Sequence, residues 1–127
     1  MASLKDLTKE QKYAAYIFME EYDKSICGNH TINPVGFYMQ YGVGYDEIKE
    51  FRDNIKEEDR FSYAINVLKE VKSERLFMRL MDECYRMLKD MIQFTGVERF
   101  TNDYTKLLEL FKTEFGYNRS PISEILP

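Results

Sequence analysis

Two cysteines and one histidine are all that this 127-residue chain offers to a soft metal or a thiol catalyst, and that scarcity excludes several classes of function. Cys27 and Cys84 are too few to staple a disulfide scaffold and lack zinc spacing, a pattern that fits a reducing compartment. His30 follows Cys27 as Cys-x-x-His, half of a metal site at most, because four ligands close a structural zinc site and only distant Cys84 adds a thiolate. The same pair has no visible orienting group for nucleophilic catalysis. No glycine-rich phosphate loop, Gly-x-Ser-x-Gly elbow, His-Glu-x-x-His pattern or Glu-x-x-His pair of the di-iron bundles is present. The expectation is a non-enzymatic protein with no catalytic residue, no metal ligand and no cofactor assigned; an alternative is a metal-binding helical bundle, which requires several carboxylates to converge inside the fold.

Long apolar runs are missing too. Nothing approaches the roughly 20 residues that a bilayer span requires, and the N-terminal Met-Ala-Ser-Leu-Lys-Asp lacks the basic and apolar regions of a secretory signal, so a cytoplasmic protein without a membrane partner is expected. An excess of positive charge is also absent: 22 acidic residues stand against 18 basic ones, for a formal charge of -4. That mixed balance sets up no broad field for phosphate backbones, and direct nucleic-acid binding is not expected. Between Asp46 and Asp59, seven acids meet three bases. This stretch reads as a solvated helix face or, alternatively, as an acidic surface at Glu57, Glu58 and Asp59 with which an inhibitor, for example phage-encoded, blocks a nucleic-acid enzyme.

Strand-like alternation is scarce, and helical periodicity fills the chain. Thr8-Lys9-Glu10-Gln11 forms a capping-box sequence, and Tyr13 to Met19 is nearly all apolar, so the first helix should be buried on more than one side. Cys27-Gly28-Asn29-His30-Thr31 breaks it. Asn33-Pro34 opens a short helix to about Tyr41, which Gly42-Val43-Gly44 ends, and a third helix from about Tyr45 carries Ile48, Phe51 and Ile55. Phe61, Ala64, Ile65, Leu68 and Val71 form the stripe of a fourth, with Glu57, Glu58 and Asp59 at the end where the helix dipole favours negative charge.

Ser73 caps the longest helix, whose apolar face holds Phe77, Leu80, Met81, Cys84, Leu88, Met91 and Ile92. After Gly96 a last helix carries Tyr104, Leu107, Leu108, Phe111 and Phe115, closed by Gly116. The fold class is all-α: a compact bundle of five to six helices around one core, a single domain over 1–127 with flexible ends at 1–6 and 120–127.

The most unusual stretch is Pro34 to Tyr45, where four aromatics and a methionine alternate with three glycines, and no Lys or Arg occurs between Lys24 and Lys49. Without cations to steer a backbone, these rings are not a base-stacking platform. Tyrosine and methionine favour protein interfaces, so Phe37, Tyr38, Tyr41 and Tyr45 are the candidate partner-binding residues of an adaptor or interaction domain. The partner is a protein of unknown identity, and a second copy of the chain, giving a homodimer, is one such partner. The competing reading makes the same helix a cover on the core, with its tyrosine hydroxyls wet.

Three pieces of sequence carry a family resemblance. Leu7-Thr8-Lys9-Glu10-Gln11 opens an apolar helix, Lys56-Glu57-Glu58-Asp59-Arg60-Phe61 opens the middle helix, and Ser73-Glu74-Arg75-Leu76-Phe77 leads into a long one. In this order, from Leu7 to about Tyr117, the chain resembles the TerB-like group of bacterial tellurite-resistance-associated domains. The resemblance implies a compact helical bundle with two helix-loop-helix halves, in a bacterial or phage setting. Loops of that group carry an acidic Asp-Gly motif linked to metal binding, whereas the breaks here read Lys24-Ser25-Ile26-Cys27-Gly28-Asn29 and Gln93-Phe94-Thr95-Gly96-Val97-Glu98. The metal role is therefore not carried onto any residue.

Overall fold

A computed structural model describes residues 3–22, 24, 34–90, 105–106, 109–110 and 112–115. The expectations placed on Cys27, Gly28, His30, Asn33, Gly96, Gly116 and 120–127 lie outside this set, as do most apolar positions of the last helix and the side chains of Met81, Cys84 and Leu88. Every regular element among the described residues is helical, so the all-α class holds. A 3-10 turn at Leu4–Asp6 precedes α1 (Lys9–Tyr22), α2 (Pro34–Tyr41) and α3 (Tyr45–Asp53). A second 3-10 turn, Glu57–Asp59, leads into α4 (Arg60–Leu68), and α5 spans Glu74–Asp90. Two compact units divide the chain, Met1–Phe77 and Met78–Pro127, and the features below belong to the first. None of the described helices is long and apolar enough to cross a membrane.

Local chemistry sets the helix ends. The Gln11 amide donates to Thr8 Oγ1 and the Thr8 amide to Gln11 Oε1, each at 3.1 Å, so two otherwise orphaned donors are satisfied at the start of α1. Ser73 Oγ accepts from the Leu76 amide at 3.3 Å and caps α5 in the same way. At the end of α2, Gly42 takes φ +79° while its amide donates to the Tyr38 carbonyl at 2.7 Å. That left-handed conformation turns the chain out of the helix, and glycine adopts it without a Cβ penalty.

Of the end expected to be flexible at 1–6, the described residues start at Ser3, where Ser3 and Asp6 form a capping box and Leu4 is buried. Two expectations need correction. The third helix stops at Asp53, before Ile55: the Asn54 side chain bonds back to the Glu50 carbonyl at 3.0 Å, and the Ile55 amide closes a tight turn onto the Arg52 carbonyl at 2.9 Å. Val71 lies beyond the end of α4 yet is buried, since the chain folds back there through two successive i to i+3 bonds.

The core of the first unit is built on α1, in which six consecutive residues from Ala14 to Met19 are buried. A helix apolar all round must be covered on more than one side, and α1 packs chiefly on α4 and also on α3. Ile48 of α3 and Ala64, Ile65, Val67 and Leu68 of α4 are buried as well, and so are Leu4, Leu7 and Val43. Rings of Phe18 and Phe61 stack at 5.6 Å with 12° between planes, joining α1 to the start of α4.

Thr8→Ala is expected to lower unfolding free energy by about 1 kcal/mol through loss of the cap. Gly42→Ala is expected to lower it by about 1–2 kcal/mol although a Cβ there would meet nothing closer than Lys5 Cγ at 3.7 Å, so the loss reports backbone conformation alone. Urea titration followed by circular dichroism measures both.

Candidate interaction face

The helix α2 is only eight residues long, Pro-Val-Gly-Phe-Tyr-Met-Gln-Tyr, and contains no Asp, Glu, Lys or Arg. Apolar side chains point both ways from it, and its neighbours decide which way is inward. Phe37 and Tyr41, four apart, are buried with their rings stacked 3.8 Å apart at 7°. Tyr16 of α1 meets the Phe37 ring edge-on at 5.0 Å and 89°. The expectation that all four aromatics form one partner surface is therefore corrected: Phe37 and Tyr41 are core residues, because the 3.6-residue period aims them at α1.

Tyr45, at the start of α3, is half-buried between the Tyr16 ring at 5.9 Å and the Arg52 guanidinium, also 5.9 Å from its ring centre. Its place is in the wall that holds α2, in a cation–π arrangement. Of the four expected contact residues only Tyr38 faces outward, and it does so beside two residues that the sequence reading did not select. Val35 is 67% exposed, Tyr38 54% and Met39 69%, and these three are the exposed large hydrophobic residues among those described. Spaced i, i+3 and i+4, they form one stripe on the side of α2 away from Phe37 and Tyr41. Helical spacing at 34–41 could have separated the two faces, but with both apolar it could not say which one the core takes.

Polar clasps along α1 hold this frame. Arg52 Nη1 lies 2.7 Å from both carboxylate oxygens of Glu20, and both side chains are largely buried. Burial works to lower the Arg52 pKa, but hydrogen bonds to Glu20 and Tyr45 outweigh it and hold the guanidinium more firmly protonated than usual. The Tyr13 hydroxyl donates to Glu47 at 2.6 Å, and Lys9 stands 3.8 Å from the same carboxylate. This hydrogen bond raises Tyr13 and lowers Glu47 from their ordinary values. On the other flank Tyr63 of α4 donates to Glu10 at 3.1 Å, and burial together with that bond raises the Tyr63 phenol. Burial, reinforced by the Glu20 charge, pushes Tyr16 up to about 12.

The alternative acidic surface is exposed as expected of its residue types: Glu57, Glu58 and Asp59 line one 3-10 turn, and none joins an ion pair among the described residues. No group of three or more His, Cys, Asp or Glu side chains that could hold a metal ion occurs among them either. What the outer side of α2 presents is three exposed, largely apolar side chains, with the Tyr38 phenol as the polar tip among them.

A pH prediction follows from Tyr16. Its folded value, about 12, lies above the ordinary 10.0, so the stabilisation from the neutral buried phenol is complete below pH 10 and lost as pH rises from about 10 towards 12. Urea midpoints should therefore hold steady up to about pH 9 and fall above 10, and Tyr16→Phe should shrink that fall. Removing Arg52 as Arg52→Met leaves the Glu20 carboxylate with its charge unpaired and is expected to cost about 2 kcal/mol at pH 7 by the same titration. No family model matches this chain, and neither a curated protein nor a solved structure matches it.

Proposed function

We propose that the chain is a non-enzymatic interaction or adaptor domain of the cytoplasm that docks a protein partner on the outer face of α2. The observation that carries this reading is the stripe of Val35, Tyr38 and Met39, which gathers the large exposed apolar side chains of the described residues on one helix. Scattered exposed hydrophobics are ordinary, whereas a contiguous set backed by a fixed core favours contact. Rigidity adds to the case: the Phe37 and Tyr41 rings anchor the inner side of the same helix, so little ordering entropy is lost when the outer side is covered.

Size and charge narrow the partner. Three side chains exposed by about a half to two thirds amount to roughly 300 Å², against about 800 Å² per partner in a stable standard interface. Two copies meeting through this stripe alone would bury too little for a stable homodimer, which favours a different protein offering an apolar groove to a short helix. Because α2 has no formally charged side chain, attraction across this face should depend little on salt. The TerB-like resemblance supplies none of the residues in this reading.

Affinity capture of the tagged full chain from its native lysate, at low and high salt, provides the test. A partner retained at high salt is expected, with retention lowered roughly tenfold or more by Tyr38→Asp and unchanged by reversal of Glu57, Glu58 and Asp59 to lysine. Circular dichroism confirms that each variant keeps its helices. Capture that survives Tyr38→Asp but disappears with salt or charge reversal would replace this reading with the acidic inhibitor of a nucleic-acid enzyme.

A further inference from the structure

Methionine is a soft, polarisable contact residue, and its thioether is also the side chain that peroxides convert to a polar sulfoxide. Which methionine in a folded chain reacts is decided by exposure. Met39 is 69% exposed at the C-terminal end of the α2 stripe, whereas Met19 of α1 is 5% exposed and enclosed in the core, and Met78 is half-buried. Val35 and Tyr38, four and one positions before Met39, share the stripe with it, and the helix brings no formally charged side chain. A single added oxygen there changes the character of the whole face.

We propose that Met39 is an oxidation site whose conversion to the sulfoxide by a peroxide turns the outer face of α2 from apolar to polar; as a regulatory device it rests on the reading of that face as a docking surface. The thioether sulfur attacks one oxygen of hydrogen peroxide, the O–O bond breaks, and the hydroxide that leaves takes up the proton of the transferred oxygen as water. Sulfur loses the two electrons that the peroxide gains. A dithiol reductant reverses the step, returning the thioether with formation of a disulfide and water. The face is thereby switched without disturbing the core, because Phe37 and Tyr41 on the inner side of α2 are not involved.

The full-length protein is treated with millimolar hydrogen peroxide, and the sites of oxygen addition are followed by peptide mass mapping. Met39 is expected to oxidise several-fold faster than Met19 while circular dichroism stays constant; equal rates, or loss of helix before Met39 reacts, would overturn the site. Retention on a hydrophobic-interaction column reads the polarity of the face without any partner. It is expected to fall on oxidation in the wild type and to hold in Met39→Leu, which keeps an apolar side chain of similar size but forms no sulfoxide. An equal fall in both would place the polarity change elsewhere and sink the switch. If retention responds as expected while the untreated protein captures no partner, the docking reading fails and the oxidation site stands.

Discussion

Everything in the first unit depends on covering α1 on more than one side. Six consecutive buried residues, Ala14 to Met19, leave the middle of this helix no solvent face, so no single neighbour suffices. Each large side chain withdrawn from water contributes about 1.5–3 kcal/mol, and that driving force draws α4 and α3 onto α1, with Phe37 of α2 against its Tyr16 and the Leu4–Asp6 turn packed in turn on α2. Leu4 of that turn is buried as well. The polar residues at the margins of α1 then fix the orientation of its neighbours: Glu20 with Arg52 and Tyr13 with Glu47 set α3, and Glu10 with Tyr63 sets α4.

The exposed apolar face of α2 is a by-product of that demand. Tyr16 on α1 presents a ring edge, and Phe37 of α2 meets it with Tyr41 stacked behind. Once two of the apolar side chains of α2 are committed inward, helical geometry leaves Val35, Tyr38 and Met39 outside. A short helix with apolar residues on both sides gains only half of their burial within its own chain, and the other half remains available to another molecule. This physical feature links the packing of α1 to the proposed function.

Much of the fold was legible in the residues. Thr8 with Gln11, Ser73 and Gly42 act through backbone groups a few positions away, and such short-range chemistry requires no knowledge of the rest of the chain. The exceptions show the limit of that rule. Ile55 and Val71 continue the helical spacing of their segments but sit outside the helices, because local turn bonds end the helix before the apolar pattern does. Burial follows the core rather than the helix boundary, and periodicity alone cannot tell the two apart.

By itself, then, the sequence determined the all-α class, the capped starts of α1 and α5, the glycine exit of α2 and the central position of the first helix. Each of these follows from composition or from contacts within one turn. Only the tertiary structure decided the candidate site. Phe37, Tyr38, Tyr41 and Tyr45 look alike as a string, yet the first and third are in the core, the fourth is in the wall beside Arg52, and Tyr38 is outside with Val35 and Met39. The hydrophobic effect has no direction of its own, so in a helix apolar on both sides the inward face is set by the shape of the neighbour it meets.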